Sequence, residues 1–215
     1  MDKDMERRGE PEQPFLVRFF DPKVAAKDFR GRTLDDILAY DDDRFEMSHD
    51  YIQILFPLPE GSAFNWQSPI IDKDTFQAFR AREDLRKSFQ RGYIRIMNFY
   101  GFDVTLLDAG GVQLSRSANH KIAFRNWVVR MDHNHLRISR IIRSLRVLGL
   151  TARADAFYKA ILEVNTDFPN RISARSLMYW KRAAERPLYL SPDQDDDDVV
   201  TGPRFLLDFE KNNGD

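Results

Sequence analysis

The chain has 215 residues, with 33 Lys plus Arg against 34 Asp plus Glu, a formal net charge of −1, 42% hydrophobic residues and no cysteine. That length suits one domain of ordinary size with tails, and the lack of cysteine removes disulfides, thiolate nucleophiles and Cys-ligated metal or iron–sulfur centres. The near-zero total hides an asymmetry, since residues 1–46 sum to −4, 47–115 to −1, 116–186 to +10 and 187–215 to −6, so one basic block either faces an anionic partner or is neutralised within the molecule.

Residues 1–14, rich in charge and carrying Gly9, Pro11 and Pro14, read as a disordered lead-in with no apolar secretory core. Thr33 is placed to cap a short helix through Tyr40, and Ser48 a second from His49 to Phe56, stopped by Pro57 and Pro59. The longest charge-free stretch, 61–71, contains Pro69 and falls short of the roughly 18–20 apolar residues of a membrane helix, so an intracellular protein, cytoplasmic or nuclear, is expected. Asp74 or Thr75 opens a long stretch in which Leu85, Phe89, Tyr93, Ile96 and Tyr100 recur at helical spacing up to Gly101. Residues 102–115, with Gly110-Gly111, suit a turn or short hairpin, and 117–129 another helix.

The clearest helix runs from 133 to 148, capped by Asp132 and ended by Gly149. Its apolar face is Ile138, Ile141, Ile142, Leu145 and Leu148, with Asn134 in its middle. Arg143 and Arg146 are expected to face outward and solubilise, and His135, opposite the apolar face, to meet solvent or cap. Thr151 and Ser173 are placed to cap helices over 152–164 and 174–185. Pro187 and Pro192 then precede the acidic run Asp193 to Asp198, whose mutual repulsion opposes a compact element. The expectation is an all-α fold: a single compact domain of about six to eight helices over 15–190, flanked by disordered acidic termini, 1–14 and 191–215.

Motifs for nucleotide hydrolysis, dinucleotide binding, zinc proteolysis, α/β-hydrolase chemistry and EF-hand calcium are absent, and no cofactor or metal is expected. His133 and His135 are two apart, on different helical faces, which argues against a shared metal. Asp42-Asp43-x-x-Glu46 imitates an aspartate-rich magnesium motif but lacks a second metal motif, and reads as a solvated acidic turn. His133, Arg137, Arg140 and Ser144 lie along one edge of the 133–148 helix and offer fork-shaped donors for a carboxylate or phosphate. The bland alternative is an intramolecular clamp onto Asp and Glu of the acidic N-terminal block. His49 and Gln53 share a face one turn apart, beside Tyr51, Phe56 and, further on, Asn65-Trp66.

The run His49-Asp50-Tyr51-Ile52-Gln53-x-Leu55-Phe56-Pro57-Leu58, then Asn65-Trp66, Phe99-Tyr100-Gly101 and the run from His133 to Leu150 resemble the conserved domain of the opioid growth factor receptor family, over roughly 33–186. One departure is Ile54, where vertebrate members carry Trp; another is length, since the animal receptors continue into long repeats. The resemblance implies a predominantly helical intracellular domain from a family named for binding an enkephalin peptide. The domain also occurs in fungi and bacteria, so the family name identifies a fold better than a function.

Two functions follow as expectations. The first is a ligand-binding module with a pocket between 49–56 and 133–148, walled by Tyr51, Phe56 and Trp66. His49, Gln53, Asn65, Asn134, Arg137 and Arg140 would contact a small molecule or peptide with an anionic group. The second is a cofactor-independent isomerase or cyclase with His49 or His133 as general acid or base. Nucleic-acid binding by the basic block ranks last, because its arginines are spread over several helices and accompany no reading motif.

Overall fold

The computed structural model describes residues 13–61, 68–195 and 202–213. Among them are eleven α-helices and one two-stranded hairpin, so the predominantly helical expectation holds while the helix count is higher. Two extra helices are short: α1 (Phe15–Phe20) and α3 (Asp42–Met47). The first is a nearly continuous apolar run, Phe-Leu-Val-Arg-Phe-Phe, which shows no period of its own and is helical because Leu16, Val17, Phe19 and Phe20 are all buried.

Local capping chemistry explains several boundaries. Thr33 forms a capping box with Asp36 at the start of α2 (Leu34–Leu38). Ser48 does not cap the next helix; it ends α3, and α4 (Tyr51–Leu55) begins after Asp50 without a side-chain cap. The stretch expected as one long helix is two, α5 (Lys73–Ala81), capped by Asp72, and α6 (Glu83–Phe99). They part at Arg82, whose backbone is extended and whose guanidinium bonds Asp21 at 2.5 Å and Asp84 at 2.7 Å. That geometry holds the Asp21 carboxyl below the usual carboxylate range.

Strands β1 (Phe102–Leu106) and β2 (Val112–Arg116) pair antiparallel, Phe102 opposite Arg116 and Leu106 opposite Val112. Residues 117–129 form only α7 (His120–Ala123) and a 3-10 turn, Phe124–Asn126. The chain there leaves the helical path so that the buried Trp127 indole can donate to the Tyr100 carbonyl at 3.1 Å. Gly101, at φ +88°, lets this segment approach, because a Cβ there would lie 3.0 Å from the His120 Cα.

Helix α8 (His133–Val147) packs against both α9 (Thr151–Asp167) and α10 (Ala174–Glu185). Asp132 caps α8, Gly149 follows it at φ +87°, and Ser173 caps α10; α9 starts after Leu150 with no side-chain cap, so Thr151 is its first residue. The expected apolar face is fully buried. Outside that face the helix is only partly solvated: Leu136 is 63% exposed, but Arg143 is 1% exposed and His135 5%. A helix enclosed by neighbours on more than one side keeps little free surface, and its buried polar side chains must find internal partners.

His135 shows how. Its Nε2 lies 2.8 Å from the Trp127 carbonyl, which can only accept, so Nε2 carries the hydrogen and Nδ1 accepts from the Ser176 hydroxyl at 2.8 Å. Burial pushes its pKa below the ordinary 6.5.

The acidic C-terminal segment is more ordered than its charge suggests. Residues 191–195 are described, and α11 (Arg204–Asn213) packs Phe205 and Phe209 on Phe76 of α5, with Leu206 fully buried.

Two outcomes test this packing. Gly92 of α6 sits against Leu55, where an added Cβ would come within 2.7 Å of Cδ1. Gly92→Ala should therefore destabilise by about 1–3 kcal/mol in urea denaturation, although mid-helix Gly→Ala ordinarily stabilises by about 1 kcal/mol. Because the folded state resists protonating His135, its contribution is full above the unfolded pKa near 6.5 and is lost as pH falls below it. The wild-type protein should lose stability relative to His135→Gln between about pH 7.5 and pH 5.5; parallel pH profiles would contradict this.

Candidate functional site

The site grows from the ends of two helices. Asp132 Oδ1 accepts from the Asn134 N–H at 2.7 Å and fixes where α8 begins, while the last turn of α3 and the residues after it present carbonyls that no helical N–H can reach. Arg137, one turn into α8, meets them: Nη1 donates to Phe45 O at 3.0 Å, and Nη2 to Ser48 O at 2.7 Å and Glu46 O at 3.4 Å. A cation at a helix C-terminus also opposes the negative end of the dipole. The same Nη2 lies 3.1 Å from His49 Nδ1. Since a guanidinium only donates, Nδ1 accepts and the hydrogen of His49 sits on Nε2.

Asn134 is fully buried behind this contact. Its Oδ1 accepts from Arg137 Nη1 and from Tyr100 OH, both at 3.2 Å, and its Nδ2 donates to the Glu46 carboxylate at 3.1 Å and Asn126 O at 3.3 Å. Every hydrogen-bonding group of this amide is used inside the protein.

In front of these residues lies a cleft of about 400 Å³ between α4 with its following loop and α8, closed at one end by the segment after α10. His49, Ile52, Gln53, Leu58 and Glu60 line one side, His133, Leu136, Arg137, Arg140 and Arg143 the other, and Tyr179 with Ser191, Pro192 and Asp193 the end. The cleft thus brings together His49, Gln53, Arg137, Arg140 and His133. It does not include Tyr51 or Phe56, which were expected as walls and are wholly buried in the core, nor Asn134; Asn65 and Trp66 lie outside the described residues. Tyr51 packs edge-on to Phe45 at 4.6 Å, and burial raises its phenol well above its ordinary pKa.

The basic side chains differ in how far they are satisfied. Arg143, expected outward, forms a two-pronged pair with Glu60 and donates to Leu188 O at 3.0 Å. Arg146, also expected outward, donates to Ala183 O at 2.9 Å and Arg186 O at 2.8 Å. Both were misplaced because α8 reads as a surface helix when its neighbours are unknown. Arg140 makes one bond, Nη1 to Phe56 O at 3.2 Å, and among the described residues no carboxylate lies within 4.0 Å of it. Burial without a paired anion pulls its pKa down to about 10, with Glu60 and Asp193 only partly offsetting the loss, so it stays charged at neutral pH.

At the cleft mouth the His49 and His133 rings meet edge to face at 5.5 Å. His133 Nε2 lies 3.3 Å from Glu46 and Nδ1 3.3 Å from Asp132. Donor atoms of Glu46, Asp132 and His133 fall within 4.8 Å of one another, a set that a divalent cation can take, but both carboxylates already accept from Asn134. Asp42, in the acidic motif, pairs with Arg95 at 2.8 Å and does not join this group. Glu60, Tyr179 and the 191–193 segment had no sequence signal, since each reaches the cleft only through tertiary packing.

Comparison with known proteins agrees with this frame. A family model described as the opioid growth factor receptor (OGFr) conserved region matches residues 15–184. The rat opioid growth factor receptor is 36% identical over 123 residues, covering 56% of this chain and 20% of that protein. The mouse opioid growth factor receptor-like protein 1 is 29% identical over 170 residues, covering 76% of this chain and 35% of that protein. The chain therefore spans about a fifth to a third of the length of these relatives. No solved structure matches it, and no helix among the described residues is long and apolar enough to cross a membrane. With the matched region running from α1 into α10 and taking in both helices that frame the cleft, the chain belongs to the opioid growth factor receptor conserved-region family.

Proposed function

We propose that the chain is a ligand-binding module whose cleft takes an anionic group of a small molecule or peptide. The observation that carries this reading is Arg140: a largely buried guanidinium, charged at neutral pH, with one of its five N–H donors bonded and no carboxylate within 4.0 Å among the described residues. A buried charge costs several kcal/mol unless it is compensated, and a bound carboxylate or phosphate would supply a two-pronged partner. Apolar Ile52, Leu58 and Leu136 with Tyr179 give the same cleft the mixed lining of an organic-ligand site. The receptor names of the relatives are consistent with ligand binding. Arg137 belongs to the scaffold, where it positions His49 and holds the end of α3.

The two arginines separate by experiment. Arg137→Gln should destabilise by about 3 kcal/mol or more, because it strands several buried carbonyls, whereas Arg140→Gln should change stability by about 1 kcal/mol or less. Titrating inorganic phosphate while following the Arg140 side-chain N–H resonance should give a saturable shift, lost in Arg140→Gln. A resonance that does not move, or equal phosphate binding by the variant, would reject the anion site.

A second reading rests on the facing imidazoles. His49, with its hydrogen on Nε2, and His133, set between two carboxylates, can act as proton donor and acceptor for a cofactor-independent isomerase or cyclase reaction on a ligand in the cleft. His49→Gln and His133→Gln should then abolish turnover of a substrate while leaving phosphate binding at Arg140 intact. Retained turnover in both would remove this reading.

A further inference from the structure

The end of the cleft is made by a segment whose charge matches what the cleft is built to accept. After α10 the chain turns back, and Ser191, Pro192 and Asp193 line the cavity that Arg140 faces. This segment is tied down by two arginines of the preceding helix region. Arg186 Nη1 donates to Ser191 O at 3.1 Å and Gln194 O at 2.6 Å. Arg182 Nη1 donates to Pro192 O at 3.3 Å and Asp195 Oδ1 at 3.1 Å. Just upstream, the Leu188 N–H is held by Glu210 of α11 at 2.7 Å and the Leu188 carbonyl by Arg143. The turn is therefore fastened at several points. Its fastenings use backbone carbonyls and the Asp195 carboxylate, and none of them uses the Asp193 carboxylate, while Asp193 itself lines the cleft.

We propose that residues 191–195 are an internal competitor, a strap that holds the Asp193 carboxylate at the anion end of the cleft and must be displaced by an incoming anionic ligand. This rests on the anion-site reading of Arg140 and adds its regulation. Asp193 opposes ligand by charge and by occupancy, and it partly compensates the buried guanidinium while the cleft holds no ligand. If the open state is the minor one, apparent affinity falls in proportion to the open fraction, so releasing the strap tightens binding without any new contact.

The test turns on the sign of a charge effect. In the full chain, Arg182→Gln with Arg186→Gln removes two positive charges near the cleft, which by electrostatics alone weakens phosphate binding. The strap predicts the reverse, a dissociation constant lowered about threefold or more if the open fraction is roughly a third or less. Asp193→Asn should also tighten phosphate, and Asp208→Asn, the same charge change on α11, should not; this pair keeps the inference testable if the double variant fails to fold. Weaker or unchanged binding in the double variant, or equal gains in Asp193→Asn and Asp208→Asn, would overturn the strap while wild-type binding at Arg140 leaves the anion site standing. Absence of an Arg140 shift in the wild type would overturn both.

Discussion

The rest of the structure depends on arginine side chains that close the C-termini of other helices. The final carbonyls of any helix lack intrahelical donors, and a buried one must be met from elsewhere. In this protein α3 is closed by Arg137, α5 by Arg86 on the Phe79 and Arg80 carbonyls, α8 by Arg80 on the Arg146 carbonyl, and α10 by Arg146. Arg140 adds one bond to Phe56 O at the end of α4. Charge-assisted bonds of this kind are about twice as strong as neutral ones, and the positive end-cap also meets the helix dipole. Short helices such as α3 and α4 could not hold their ends by propensity alone.

The basic block does not resolve as the expected clamp. Among the described residues its lysines and arginines form no ion pair with the acidic N-terminal block. Arg137, Arg146 and Arg153 are used largely on backbone carbonyls or amide oxygens, and among the described residues the Lys and Arg of the block that pair with carboxylates within 4.0 Å are Arg116, Arg143, Lys181 and Arg182. A carbonyl satisfies a hydrogen bond without neutralising a charge. Arg137 and Arg140 are in this way bonded to carbonyls without a paired anion, and both line the cleft.

What could be read from the sequence follows the range of the interactions. Asp132, Gly149, Thr33 and Ser173 act within one turn of themselves, and the helix limits they set were legible. The apolar faces of α6 and α8 were legible for the same reason. The roles of Arg143, Arg146 and His135 were not, because periodicity reports which residues share a face, not how many faces are covered. Helix α11 was hidden behind the acidic run before it, although Phe205, Leu206 and Phe209 carry a helical spacing. In the cleft, His49, Gln53, Arg137 and Arg140 could be named from residue type and spacing; Tyr51 and Phe56 could not be told from core, since an aromatic wall and an aromatic interior are the same pattern in sequence.

Arg137 and Arg140 lie three residues apart on one helix and do different work, and the difference is geometric. Arg137 reaches the C-terminal carbonyls of α3 with both arms and is saturated by them, so its charge is fixed in place and orients His49. Arg140 has turned past that cluster, meets a single carbonyl among the described residues, and lines the cavity. A helix that must cap α3 at one position brings an under-satisfied guanidinium to the cleft one turn later. The cleft is in this sense a consequence of how α8 holds the fold together, and a substitution that reshapes the α3–α8 contact should disturb the site even though it touches nothing in the cavity.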